Sequence, residues 1–192
     1  MEKILKNDLE KYNTDEFEEK IKKIFLKVQK AWSDNRPEDL INIESSLLYE
    51  REAEKIRRHI SKNLREVRKN IVFNYIDVTE HYIAGTAEVL KVKIRASMEN
   101  YIYNIITGEV VSGIREYKEI KKYILTMVKR GEKEGFINIK CDGCGANVSI
   151  MALGKCEYCG TLFYTKEYDW ILEDIEVYPD DEENYYWVWN TI

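Results

Sequence analysis

Residues 90–98 read Leu-Lys-Val-Lys-Ile-Arg-Ala-Ser-Met, and this stretch decides the fold. Every second residue is apolar and the residues between them are charged or polar, which is the two-residue period of a β-strand. Such a strand buries one face and exposes the other to water. This pattern is typical of an antiparallel sheet that is covered on one side only. We predict the strand over residues 86–98.

The sequence around this stretch predicts further strands of the same sheet. The predicted strands cover residues 71–79, 101–106, 118–130 and 168–178. They are rich in Val, Ile, Phe and Tyr, and Thr107-Gly108 predicts a turn after the second of them. In residues 118–130 the apolar residues Tyr123, Leu125 and Met127 share one face.

Three helices are predicted before the sheet. The first covers residues 14–34, where apolar residues from Phe17 to Trp32 recur at steps of three and four. Asn13 and Glu16 resemble a capping box at its start. Pro37 predicts a break and a short second helix, and a third carries an apolar stripe from Ala53 to Val67. We therefore predict an α+β fold with three N-terminal helices packed on a curved antiparallel sheet.

All four cysteines lie in one short module. They are Cys141, Cys144, Cys156 and Cys159. They form two Cys-x-x-Cys hooks, each followed by glycine (Gly145 and Gly160), and glycine can adopt the positive φ that such a turn requires. This spacing matches two hooks that hold one Zn²⁺ through four thiolates. We predict one structural zinc ion in a zinc ribbon inserted in the last hairpin of the sheet, with no open position for catalytic water.

Two other interpretations of these cysteines are less consistent with the sequence. A redox dithiol is usually a single motif that opens a helix, whereas both hooks here are followed by turns. Disulfides are expected in small secreted chains, whereas this sequence shows no signal peptide and has few cysteines for its size.

The charge of the chain is segregated although the net charge is only −5. Residues 51–69 carry eight Lys and Arg against three Glu, and residues 167–183 carry nine acids and no base. The simpler interpretation is a pair of solvated faces. The alternative is that the third helix contacts phosphates or lipid headgroups. Its candidate contact residues are Arg57, Arg58, Lys62, Arg65, Arg68 and Lys69.

Several strings, taken in order, resemble one known family. They are Val28-Gln-Lys-Ala-Trp32, Thr107-Gly-Glu-Val-Val111, Tyr123-Ile-Leu-Thr-Met-Val-Lys-Arg130, and the cysteine pair followed by Tyr168-Asp-Trp170. Over residues 14–176 the chain resembles the bacterial zinc-ribbon branch of the family of the 44-kDa subunit of the mitochondrial inner-membrane protein translocase. The resemblance implies a nuclear-transport-factor-2-like cone with an apolar pocket, membrane and lipid contact, and tethering of import machinery.

With this resemblance the sequence divides into three predicted parts. Residues 1–136 plus 166–178 form the cone domain, residues 137–165 form the inserted zinc ribbon, and residues 179–192 form an acidic, aromatic tail. The tail carries Tyr185, Tyr186, Trp187 and Trp189. Chain ends are often loose, but so many aromatic residues also suit docking onto a partner or onto the protein's own groove.

The predicted function is a non-catalytic binding, tethering or transport-related module with a lipid, peptide or protein partner. No stretch is apolar enough to span a bilayer, and reduced cysteines without an export signal predict a cytoplasmic location, including peripheral contact with the inner membrane face. A homodimer through the exposed sheet face is a further expectation.

Two alternative functions are weighed against this one. An isomerase or dehydratase in the cone pocket needs a general base, for which the chain offers His59 and His81, and both read as ordinary surface or boundary histidines. A nucleic-acid-binding zinc ribbon needs basic residues, but residues 145–155 hold one lysine and no arginine. We expect no catalytic residue.

Overall fold

A computed structural model describes residues 9–41, 43–85, 87–130, 138–141, 143–149, 158–159 and 170–179. The fold is α+β, as predicted. Its helices are α1 (Asp15–Asp34), a short 3-10 helix (Pro37–Leu40) and α2 (Ser46–Ser61). Its strands are β1 (Leu64–Ala84), β2 (Ala87–Asn104), β3 (Val110–Arg130), β4 (Asn138–Lys140), β5 (Asn147–Ser149) and β6 (Ile171–Pro179).

The main sheet has four antiparallel strands in the order β1-β2-β3-β6. The alternation predicted for residues 90–98 is confirmed. Leu90, Val92, Ile94, Ala96 and Met98 are at most 1% exposed, whereas Lys93 on the opposite face is exposed. Within the part of the chain that the structure describes, the face that carries Ile94 is buried and the face that carries Lys93 is the more exposed one.

Helix α1 covers that face with the apolar stripe predicted from the sequence. Its buried residues include Phe17, Ile21, Phe25, Val28 and Trp32. The ring of Phe25 lies edge-on to Tyr123 of β3, with centroids 4.9 Å apart, and to Phe73 of β1 at 5.6 Å. Burying each such side chain contributes about 1.5–3 kcal/mol, so this stripe fixes the helix on the sheet.

The described residues form two α-helices where three were expected. The expected second helix is a single 3-10 turn, and the expected third helix is part of α2, which ends at Ser61. Asn63 stops it, because this residue has the left-handed φ of 56° that asparagine tolerates well. Leu64 and Val67 continue the helical spacing of the stripe, but they lie half-buried on β1.

Strands β1, β2 and β3 are longer than predicted. The predicted strands over residues 86–98 and 101–106 form one strand, β2, and the predicted strand over residues 118–130 is the second part of β3. The pairing of β2 with β3 continues across irregularities in register. Glu99 pairs with Lys118 while Tyr101 pairs with Gly113. The β3 chain thus carries extra residues between two neighbouring pairs, which bends the sheet.

Gly113 sets this bend, and we expect Gly113→Ala to destabilise the fold by about 2–3 kcal/mol. Its φ is +75°, and an added Cβ would lie 2.4 Å from the carbonyl oxygen of Asn100 and 2.8 Å from Cα of Tyr101. The left-handed conformation alone costs about 1–2 kcal/mol for alanine, and the contact with rigid backbone adds to it. Urea unfolding measures the change. Gly108→Ala is the matched control, because its φ is also +75° but nothing lies within 4 Å of its Cβ position.

Two side chains at the ends of α1 bind the outer backbone of β1. Asn13 accepts a hydrogen bond from the Val78 N–H and donates one to the Val78 carbonyl. Ser33 does the same for Arg68, accepting from its N–H at 2.8 Å and donating to its carbonyl at 3.1 Å. Asn13 is therefore not the helix cap that the sequence suggested, since Thr14 accepts the capping hydrogen bond from the Phe17 N–H.

Candidate functional site

Three of the four predicted zinc ligands lie together beside the β4–β5 hairpin. Cys141 directly follows β4, and its N–H donates to the carbonyl of Ala146 at 2.8 Å. The Gly145 N–H donates back to the Cys141 carbonyl at 2.6 Å, and Gly145 has a φ of 71°. The glycine after the first hook thus makes the tight turn that the sequence predicted.

The three sulfur atoms have the spacing that one metal ion requires. The Sγ atoms of Cys141, Cys144 and Cys159 all lie within 4.8 Å of one another, and those of Cys141 and Cys159 are 3.5 Å apart. Thiolates about 2.3 Å from a tetrahedral zinc ion are roughly 3.8 Å apart, whereas bonded sulfurs are about 2 Å apart. These residues fit a metal. Cys156, the fourth predicted ligand, and Gly160 lie outside the described residues.

A separate cavity of about 140 Å³ lies between the two helices and the covered face of the sheet. Its lining residues are Val28, Gln29, Trp32, Glu52, Lys55, Arg68, Tyr123, Ile175 and Val177. They come from α1, α2, β1, β3 and β6. Every main element except β2 contributes to it, so this cavity is the place where a ligand would contact most of the fold.

Several hydrogen-bond donors in this cavity are not used by the described residues. Gln29 and Trp32 are 1% and 4% exposed. The Gln29 side-chain nitrogen and the Trp32 ring nitrogen have no hydrogen-bond partner among the described residues. The Gln29 side-chain oxygen already accepts from Arg68 at 2.9 Å, which fixes the nitrogen as the remaining donor. Buried donors of this kind favour a ligand or water with acceptor oxygens.

Tyr123 adds a third donor. Burial raises the pKa of its hydroxyl to about 12, so the group stays protonated, and its contact within the protein is with the Met98 sulfur at 3.8 Å. Sulfur is a weak acceptor. The hydroxyl therefore keeps most of its capacity to donate to a ligand.

Charged groups at the cavity are balanced in pairs. Arg68 lies over the Trp32 ring at 4.2 Å and donates to the buried carboxylate of Glu66 at 2.8 Å. Glu52 accepts from Lys55 at 2.9 Å and from Arg51 at 3.3 Å. The carboxylates of Glu52 and Glu66 are thus bound by basic side chains of the protein. The groups that remain for a ligand are hydrogen-bond donors and apolar side chains.

The six candidate contact residues for anionic surfaces do not lie on one helix. Arg57, Arg58 and Lys62 are exposed on α2 and just beyond its end. Arg65, Arg68 and Lys69 lie on β1, where they pair with Asp34, Glu66 and Glu99 respectively. The prediction of one continuous basic helix is thereby corrected, because the helix ends at Ser61.

The two histidines lie beside aromatic and acidic side chains. His59 stacks edge-on against Trp32, and His81 lies 3.1 Å from a Glu88 oxygen. Neither lines the 140 Å³ cavity, nor a second one of about 180 Å³ beside Tyr12 and the start of α1.

Sequence reasoning missed Glu44, which is 0% exposed. Neither carboxyl oxygen has a hydrogen-bond partner among the described residues. Burial, reinforced by the nearby charge of Glu52, raises the pKa of the Glu44 carboxyl to about 8. Its sequence neighbourhood gave no signal, because a glutamate between two helical segments is ordinarily exposed.

These features define the class of protein: an α+β domain in which helices cover one face of an antiparallel sheet, followed in the chain by a cysteine hairpin. The chain belongs to the Tim44-like domain family, which matches residues 2–136. Among solved structures, it is similar to the intermembrane space region of the chloroplast protein ARC6. The identity is 12% and the TM-score 0.45, over 84% of this chain and 96% of that chain. No curated protein matches it.

In the described part of the chain, no helix is long and apolar enough to cross a membrane.

Proposed function

We propose that this chain is a non-catalytic binding or tethering module whose 140 Å³ cavity receives part of a lipid, peptide or protein partner. The observation that carries the proposal is a set of buried donors at this cavity. Those of Gln29 and Trp32 have no partner among the described residues, and the Tyr123 hydroxyl has only the weakly accepting Met98 sulfur there. Membership of the Tim44-like domain family supports a role in tethering rather than catalysis.

The chemistry of the cavity favours a ligand that carries acceptor oxygens beside an apolar group. The donors belong to residues that line the cavity, and Val28, Ile175 and Val177 line it with apolar side chains. The lining carboxylate, Glu52, already binds Lys55 and Arg51. This lining offers no unpaired base, and that argues against the alternative of an enzyme.

Two further parts of the molecule have supporting roles in the proposal. One zinc ion, bound by Cys141, Cys144, Cys156 and Cys159, stabilises the cysteine module, as in the zinc-ribbon branch of the family. The exposed residues Arg57, Arg58 and Lys62 contact an anionic surface or partner. The proposal includes a cytoplasmic location with peripheral contact at the inner membrane face.

Native mass spectrometry of freshly purified protein tests the proposal. We expect one zinc per chain and a co-purified mass, and Tyr123→Phe should weaken retention of that mass about tenfold, the effect of losing one hydrogen bond. Tyr75→Phe is the matched control, because Tyr75 is 40% exposed and does not line the cavity. Equal retention by wild type and both variants would contradict a ligand in the cavity.

A vesicle assay separates the lipid partner from the others. Co-sedimentation with phosphatidylglycerol vesicles at low salt, against phosphatidylcholine vesicles, is expected if the partner is lipid. A triple change of Arg57, Arg58 and Lys62 to glutamine should abolish it. Binding that persists in this variant would remove the basic surface from the proposal.

A further inference from the structure

One end of the main sheet carries a concentration of exposed apolar side chains. Five large hydrophobic residues within positions 105–117 are more than half exposed. They are Ile105 (52%), Ile106 (73%), Val111 (60%), Ile114 (65%) and Tyr117 (56%). Large apolar groups concentrated in this way mark a contact surface.

The same region has an unpaired strand edge. Strand β6 ends at Pro179, which pairs with Lys121, whereas β3 extends back to Val110. Among the described strands, residues 110–120 of β3 therefore have a neighbour on the β2 side only. A free edge beside apolar residues is a template for one more strand.

The segment that follows β6 starts at this edge. Because β6 and β3 are antiparallel, a strand that kept the direction of β6 beyond Pro179 would pass Lys118 and then Tyr117. Residues 180–192 can extend over roughly 40 Å at about 3.3 Å per residue, and residues 110–120 span about 36 Å. The segment is long enough to cover the whole surface.

The order of acidic and aromatic residues in the segment 180–192 also matches the order of basic and apolar residues along β3. The segment begins with four acids at 180–183, and its aromatic residues follow at 185–189. Along β3 from Lys121, the basic residues Lys118 and Arg115 come first, and the exposed Ile114 and Val111 follow. Of the two carboxylates on this stretch, Glu119 pairs with Lys121 at 2.7 Å, and Glu116 is exposed.

We propose that residues 180–192 dock in cis on residues 105–120, with the acids beside Lys118 and Arg115 and the aromatic rings over the exposed apolar residues. Strand pairing continues from β6 as far as Lys118. The positive φ values of Gly113 and Glu116 interrupt a regular ladder beyond it, so side-chain contacts stabilise the remainder.

Hydrogen exchange on the full chain and on a chain truncated after Pro179 tests this. We expect backbone exchange in residues 105–118 to accelerate at least tenfold on truncation, while exchange in residues 90–98 stays unchanged and shows that the sheet is intact. The double variant Ile114→Ser, Tyr117→Ser in the full chain should give the same acceleration. Val72→Ser is its control, because Val72 is a similarly exposed apolar residue (47%) on β1.

A second set of measurements distinguishes residues 180–192 from a second copy of the chain as the group that covers residues 105–120. A synthetic peptide of residues 180–192 that restores protection to the truncated chain supports the proposal. Unchanged exchange on truncation overturns it. Protection that rises with protein concentration, together with a dimer by light scattering, also overturns docking in cis and assigns the surface to a second copy.

Discussion

Replacing Cys144 by serine is expected to abolish stoichiometric zinc binding and to unfold the β4–β5 hairpin. The two strands have three residues each, and a hairpin of that size is not stable by itself in water. Zinc bound by four thiolates contributes on the order of 10 kcal/mol of local folding free energy. Without the Cys144 thiolate most of that free energy is lost, so the hairpin unfolds.

Metal analysis and hydrogen exchange measure this result. We expect one zinc per wild-type chain, less than one in the variant, and rapid exchange of residues 138–149 in the variant only. Residues 90–98 should stay protected, because the core of the main sheet contains none of the three clustered cysteines. Tyr158→Ser is the control: it alters an exposed neighbour of Cys159 and should leave zinc content unchanged. Wild-type protein without zinc, purified under metal-preserving conditions, would refute the site.

Replacing Glu44 by glutamine is expected to make the fold markedly more stable at alkaline pH. The carboxyl pKa of Glu44 is raised to about 8 in the folded protein, from an ordinary value of 4.5, chiefly by burial. The folded state therefore holds this proton over a pH range in which the unfolded state has lost it. The contribution of Glu44 to wild-type stability is fully present below pH 4.5, is lost as pH rises from 4.5 to about 8, and then levels off. The linked free energy is on the order of 5 kcal/mol.

Denaturant unfolding of wild type and Glu44→Gln between pH 5 and pH 9 tests this. The difference between the two proteins isolates Glu44 from other titrating groups, including the nearby Glu52, Arg51 and Lys55 that affect its pKa. We expect similar stability at pH 5 and an advantage for the variant of several kcal/mol at pH 9. Glu50→Gln is the matched control, since it makes the same substitution at an exposed position of α2. Parallel curves for wild type and Glu44→Gln would show that Glu44 ionises freely in the folded state.

The sequence correctly predicted the helix and the strand whose apolar residues recur at a regular spacing. The alternation around Ile94 and the stripe on α1 are both confirmed, because each depends on one element facing one core. The end of α2 was misplaced because Leu64 and Val67 fit a helical spacing and also lie on a strand. Asparagine readily adopts a left-handed backbone conformation, so Asn63 was the residue in the sequence that could have indicated the end of α2.

The cavity and the buried acid could not be predicted in the same way. Gln29, Tyr123 and Arg68 are far apart in the chain, and only the packing of α1 against β1 and β3 brings them together. Glu44 is buried because the backbone on both sides of it pairs with Leu172, through Ile43 and Ser45. Such contacts depend on strand register across more than a hundred residues. In the cysteine module, by contrast, the spacing within each Cys-x-x-Cys hook is local, and the structure brings three of the four cysteines together.

The hydrogen bonds from Asn13 and Ser33 to β1 have a consequence for assembly. They satisfy the outward N–H and C=O groups of Val78 and Arg68, ten residues apart on one border of the sheet. Another molecule that added a strand there would have to displace both side chains first. Open-ended stacking of sheets into a fibre needs two receptive borders on every molecule. Because β1 is protected in this way, molecules could associate only through the opposite edge of the sheet. Such edge-to-edge association would end at a dimer.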